Sequence, residues 1–277
     1  MNKFLVVFII ISTFSFKNNY AQTIDTTQVK WGVLPQKKLV PLFTADARAH
    51  RISIQRVLGN NSYLGSMGGI FPLIQVQKNK KVLQLCAAAS TYLSLKRTGN
   101  HGSVENIDFF ADVYLDAKIT NYFLLRLGTG HTSQHLSDDA INKGAVFANY
   151  ARDYHQLFGI YKNKKYDFFV YSGIVFNYNF KTVPGINISN TPIIQFGFEH
   201  TPIRFSKTQS VYYAADIKLR GELNYQNTHH FQLGYRLQKK NLKALRIACD
   251  YSAGLEERGQ YYTGFRKFSS IGLYLEF

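Results

Sequence analysis

Apolar and polar residues alternate along most of this chain. From Asp108 to Ile119, Phe109, Ala111, Val113, Leu115, Ala117 and Ile119 fall on one side. Asp108, Phe110, Asp112, Tyr114, Asp116 and Lys118 fall on the other. A period of two is the signature of a strand, in which successive side chains point to opposite faces. Val211 to Glu222 repeats the pattern, with Tyr213, Ala215, Ile217 and Leu219 opposing Tyr212, Ala214, Asp216, Lys218, Arg220 and Glu222. Phe231, Leu233, Tyr235 and Leu237 alternate with Gln232, Gly234 and Arg236, and Leu245, Ile247, Cys249 and Tyr251 with Arg246, Ala248 and Asp250. No helical periodicity of comparable strength is present. The chain reads as all-β.

Such segments number about twelve. They lie near 50–58, 68–76, 82–96, 107–119, 122–131, 149–161, 168–180, 193–201, 211–222, 229–237, 243–252 and 268–277. Many are as long as a tilted transmembrane strand requires. A soluble sandwich also alternates, but here the polar faces carry charges of both signs at close spacing (Asp108, Asp112 and Asp116; Asp216, Lys218, Arg220 and Glu222). Charges so placed pair across a closed lumen, while faces of Leu, Ile, Phe and Tyr suit a lipid-facing band. With the first strand running outward, the longer connections, such as 132–148 and 253–267, gather at the outer end. The pattern predicts a transmembrane up-and-down antiparallel β-barrel of about twelve strands. With so few strands, a lumen filled by its own charges is expected, rather than an open porin.

The two ends of the chain refine this picture. Lys3 precedes an apolar stretch from Phe4 to Phe16, and Lys17, Asn18, Asn19, Tyr20 and Ala21 follow. This is the form of a secretory signal peptide, too short to span a membrane as a helix. The expected organisation is a signal peptide at 1–21, a periplasmic strap at 22–49 and an outer-membrane barrel at 50–277. At the carboxyl end Ile271, Leu273, Leu275 and Phe277 alternate to the last residue. A terminal Phe on an alternating strand resembles the signal read by the outer-membrane barrel assembly machinery, which is therefore an expected partner.

Composition narrows the functional classes. Lys and Arg total 33 against 17 Asp and Glu, a balance of +16. No basic helix or aromatic-interleaved motif accompanies that excess, so nucleic acid is not an expected partner. The lysines gather in turns (Lys78, Lys80 and Lys81; Lys162, Lys164 and Lys165), as solvated turns near anionic headgroups would. Outer-membrane lipids and lipopolysaccharide are the expected surroundings. By parity Cys86 faces the lumen and Cys249 the lipid, which excludes a disulfide between them. No motif indicates a cofactor.

Leu127 to Ala140 reads L-G-T-G-H-T-S-Q-H-L-S-D-D-A. It resembles a segment close to H-x-S-S-H-L-G-D-E in a bacterial family known as domain of unknown function 1207 (DUF1207). The matching residues are His131, Ser133, His135, Leu136 and Asp138; Gln134, Ser137 and Asp139 depart from the pattern. Similarity extends to P-L-F-T-A-D-A-R-A at 41–49, Q-F-G-F-E-H at 195–200, A-A-D-I-K at 214–218 and G-Q-Y-Y at 259–262. The resemblance implies export and an outer-membrane barrel, and no activity.

Residue chemistry offers a further reading. His131 and Ser133 share the parity of Phe123, Leu125 and Leu127, which places both on the lipid side of a strand near its outer end. A base and a nucleophile there could act on an acyl ester of the outer leaflet. The arrangement is similar to the outer-membrane phospholipase A and lipid A deacylase barrels, which carry H-x-S-N on a strand; Gln134 stands where they have Asn. Asn149 and Asp153 are the candidates to orient His131, and Gly128 and Gly130 would allow close backbone approach for an oxyanion donor. A metal site at His131, His135, Asp138 and Asp139 is an alternative, as is a polar loop mouth over 131–139. The leading expectation is a structural or lipid-interacting narrow barrel, with the acyl hydrolase as its rival.

Overall fold

The structure is a computed structural model describing residues 29–144, 150–181, 191–238, 243–258 and 264–276. The alternating segments form strands throughout. In order they are β1 (Lys30–Val33), β2 (Ile52–Val57), β3 (Ser62–Lys78), β4 (Lys81–Thr98), β5 (His101–Lys118), β6 (Phe123–Leu136) and β7 (Tyr150–Asn163). The remainder are β8 (Phe168–Lys181), β9 (Pro192–Arg204), β10 (Gln209–Arg220), β11 (Gln226–Gln238), β12 (Ala244–Leu255) and β13 (Phe265–Glu276). Strands β2 to β13 each pair antiparallel with their sequence neighbours, and β13 returns to β2 from Ser270↔Val57 to Leu275↔Ile52. The result is a closed twelve-stranded barrel. Strand β1 is an addition, paired with β3 over Ile74–Gln77.

Facing follows the parity of the sequence. Phe109 and Val113 are 47% and 48% exposed on the outside, while Asp112 and Asp116 are 5% and 0% exposed within. The lumen charges pair as expected: Asp116 with Arg126 at 2.7 Å, Glu199 with Arg236 at 2.8 Å and Glu222 with Arg220 at 2.9 Å. Among the strands β2 to β13 the longest connections, 137–149, 182–191 and 256–264, share one end of the barrel. Phe277 and the segment 1–21 lie outside the described residues.

Two expectations need correction. Strand β6 does not stop at 131 but continues to Leu136. There Thr132 and Gln134 are buried toward the lumen while His131 and His135 are exposed outside. Alternation thus persists with polar residues on both faces, which is why hydropathy hid it. Ser137 then caps a short helix, α1 (Asp138–Asn142), its Oγ accepting from the Ala140 N–H at 3.1 Å.

The second correction concerns the strap. Its described inner part runs through the lumen rather than the periplasm. Val40 and Phe43 are buried in one cluster with Tyr154, Phe158 and Tyr171, and the Phe43 ring stacks on Tyr171 at 3.7 Å. Beyond it Thr44 donates to Glu199, Asp46 meets Lys218 at 2.6 Å, and Tyr92 donates to the Ala49 carbonyl at 2.5 Å. The physical reason is size. Eight strands enclose a space that wall side chains can fill, whereas a twelve-stranded wall leaves room for chain.

Candidate active site on the outer face of the barrel

Strands β5, β6 and β7 build the candidate site. In their register His131 lies opposite Ala111 on one side and Asp153 on the other; Ser133 lies between Phe109 and Ala151. Odd-numbered residues of β6 and β7 face outward, so His131, Ser133 and Asp153 share one surface. The register brings the His131 Nδ1 to 2.6 Å from Asp153 Oδ1, with side chains 55% and 27% exposed. A β-bulge interrupts the β7–β8 ladder between Asp153 and Tyr154. Such bulges re-aim side chains beside functional sites.

Chemically, a carboxylate on Nδ1 fixes the imidazole and leaves Nε2 as the proton acceptor. Two hydroxyls flank His131 on the same face: Ser133, and Thr129, whose Oγ1 donates to the Tyr154 carbonyl at 3.2 Å. The side-chain hydrogen bond of His131 is the one with Asp153, and none joins it to Ser133. Of the two candidate orienting residues the structure brings Asp153 to His131, while Asn149 lies outside the described residues. Gln134 is fully buried toward the lumen, so its departure from Asn does not alter the outward surface.

Gly128 and Gly130 serve a different purpose from the one expected. Both face the lumen. A Cβ on Gly130 would stand 2.2 Å from Asp112 Oδ1 and 2.7 Å from the Tyr154 ring. One on Gly128 would stand 2.8 Å from the Tyr114 ring. They make room for lumen side chains rather than for an ester. The alternative metal set is dispersed: His131 engages Asp153, His135 packs edge-on against Phe109 at 6.1 Å, and Asp138 and Asp139 begin α1. Among the described residues no group of three or more His, Cys, Asp or Glu is arranged to hold a metal ion.

A second Ser–His–Asp array, not legible in the sequence, lies inside. His50 Nδ1 is 2.8 Å from Ser90 Oγ and its Nε2 is 2.7 Å from Asp112 Oδ2. Asp112 also accepts from Tyr154 at 3.1 Å and Gln156 at 2.9 Å. His50 adjoins cavities of about 60 Å³ and about 170 Å³, both below the roughly 300 Å³ at which small-molecule pockets begin. This array anchors the end of the strap. The outer site is open on its face, with the His131 side chain 55% exposed.

Comparison with known proteins bears on the fold. No family model matches the chain, and no curated protein matches it. Among solved structures the chain is similar to the outer-membrane phospholipase (OMPLA) of Salmonella typhi, described as a dimer with bound calcium. That match has 13% identity over 82% of this chain and 90% of that one, with a TM-score of 0.57. A doubly substituted OccD1 (OprD) aligns at 7% identity over 77% of this chain and 74% of that one, with a TM-score of 0.32. On topology and on the first of these likenesses, the chain is an outer-membrane-type β-barrel.

Proposed function

We propose that the chain is an outer-membrane acyl-ester hydrolase, with Ser133 as nucleophile, His131 as general base and Asp153 as the group that orients His131. The observation that carries this reading is the 2.6 Å approach of Asp153 Oδ1 to His131 Nδ1 on the face that also bears Ser133. In the reaction Ser133 Oγ attacks the ester carbonyl carbon and its proton passes to His131 Nε2. The acyl–oxygen bond then breaks, the departing alcohol takes that proton, and water releases the acyl group by the same route. The similarity of the fold to a phospholipase barrel supports the reading, as does the H-x-S sequence.

The outward placement of the site points to acyl chains of phospholipid or lipopolysaccharide as substrates. On the signals at 1–21 and at Phe277 we place the mature protein in the outer membrane, inserted by the barrel assembly machinery. Membership of the DUF1207 family is part of the same proposal and rests on the segments quoted above.

The test is purified barrel in detergent with phospholipid and lipid A esters, wild type beside Ser133→Ala and His131→Ala. Hydrolysis lost in both variants, with heat-modifiable migration retained, is the expected outcome. Hydrolysis that survives Ser133→Ala removes this nucleophile. No hydrolysis by the wild type returns the chain to the structural, lipid-interacting reading.

A further inference from the structure

The wall of the barrel has a seam. Strand β2 pairs with β3 only over Tyr63–Ser66, and β1 resumes on the same edge at Ile74–Gln77. Between Met67 and Pro72 no strand pairs with that edge of β3. Pro72, which lacks an N–H, sits where no ladder bond is required of it, beside a register shift against β4. Facing the gap are Leu275 and Glu276 at the end of β13, and a cavity of about 170 Å³ occupies it. Leu42, Ile70, Phe71, Pro72 and Leu275 supply apolar walls, with Phe71 56% exposed on the outer surface. The inner lining holds Lys38, His50 and Arg51.

Arg51 gives the cavity its chemistry. The residue is 5% exposed, its Nη1 donates to the Thr44 carbonyl at 2.7 Å, and its guanidinium lies 4.8 Å from the Tyr274 ring centroid. Its Nε has no hydrogen-bond partner, and no carboxylate is ion-paired with it among the described residues. Nearby acids are engaged elsewhere: Glu276 with Arg246 at 2.6 Å, Asp112 with His50 at 2.7 Å and Asp46 with Lys218 at 2.6 Å. Arg126, Lys218, Arg236 and Arg246 all have a carboxylate partner in the lumen. A buried cation without an anion is costly, and a ligand that brings the anion relieves that cost.

We propose that the seam between β3 and β13 binds a fatty-acid carboxylate that enters sideways from the lipid phase. Its head lies on Arg51, with Lys38 adding to the positive field, and its first methylenes lie among Ile70, Phe71 and Leu275. A cavity of about 170 Å³ is smaller than an ordinary small-molecule pocket of roughly 300 Å³ or more. It suits the head end of one chain whose remainder stays in the bilayer, and it excludes a two-chain headgroup. Binding here does not rest on the hydrolase reading and is measured without turnover.

The experiment uses the barrel in phosphatidylcholine nanodiscs, as wild type and as Ser133→Ala, with palmitate carrying a photoactivatable diazirine. Crosslinks are mapped by peptide mass spectrometry. Labelling is expected on β3 around 67–73 and on the end of β13, equally in both proteins, displaced by unlabelled palmitate and not by hexadecanol. Loss of a charge-assisted contact predicts a drop of about tenfold or more in Arg51→Met. Gly69→Leu should lower labelling too: Gly69 shares the outward face of Met67 and Phe71, a Cβ there meets only the Phe71 ring, at 3.4 Å, and the longer side chain covers the lipid-side mouth of the gap. Should Arg51→Met fail to give folded, heat-modifiable barrel, Gly69→Leu decides alone. Four results overturn the proposal: labelling spread along the outer surface, equal displacement by hexadecanol, stronger displacement by lysophosphatidylglycerol, or unchanged labelling in every folded variant.

Discussion

Asp46 and Lys218 are 172 residues apart in sequence and meet at 2.6 Å inside the barrel. Lys218 also lies 2.7 Å from Glu257 and 3.3 Å from Asp216. One ammonium therefore ties the strap, the wall and the connection after β12 to a single point. Breaking a buried ion pair by removing one member typically costs about 3–5 kcal/mol, because the remaining charges stay buried. Lys218→Met is expected to loosen the strap, with protease cleavage within 34–49 and higher single-channel conductance than wild type. Asp46→Asn, which keeps the shape and removes one charge, should have the smaller effect.

Acid should act on the same clamp. Burial by itself would raise the Asp46 carboxyl, but Lys218 outweighs it and holds the group below its usual range. Glu257 is held well below its usual range in the same way, against its own burial, by Lys218 and His230. Both folded-state values are depressed, so the stability these groups contribute is complete above the unfolded values of about 4. It is lost as pH falls through the lower folded values. Protease protection of the strap should therefore persist at pH 5 and fail only below about pH 4. Release already complete at pH 5 would contradict the assignment.

Asp153→Asn tests the orienting role separately from the fold. The His131–Asp153 pair is substantially exposed, and such surface pairs contribute only about 0–1 kcal/mol to stability. Replacing an orienting aspartate by asparagine in a serine–histidine enzyme lowers kcat by up to about 10⁴. Hydrolysis by this variant is expected to fall by at least about 10² with an unchanged thermal midpoint. Wild-type kcat in Asp153→Asn would remove Asp153 from the mechanism.

Gly130→Ala is expected to destabilise the barrel, because its Cβ would stand 2.2 Å from Asp112 and 2.7 Å from the Tyr154 ring. Overpacking of this kind costs about 1–3 kcal/mol, read as a lower urea midpoint. Gly102→Ala is the control, since nothing lies within 4 Å of its added Cβ.

Asn142, exposed at the end of α1, reports orientation. In a background without Cys86 and Cys249, Asn142→Cys should react on intact cells with a reagent that cannot cross the outer membrane. Reaction only after the outer membrane is permeabilised would reverse the topology.

The sequence by itself determined the wall. Strand parity depends only on neighbouring residues, so the outward Phe109, the inward Asp112 and the shared face of His131 and Ser133 were legible before any tertiary structure. The same rule placed Cys86 inside and Cys249 outside, as the structure has them. Tertiary structure decided what crosses between strands and what fills them. The register of β6 on β7 is needed to put Asp153 rather than another residue against His131, because several residues of β7 share its parity. Gly128 and Gly130 show the limit of a local reading: their place in the chain suggested room for a substrate, and only the packed lumen shows Tyr114, Asp112 and Tyr154 occupying it. The strap shows the same limit at larger scale. Nothing local in residues 34–51 states that Phe43, Thr44 and His50 will be buried. That burial follows from the width of a closed twelve-stranded wall and from lumen charges that need partners, properties of the closed barrel alone.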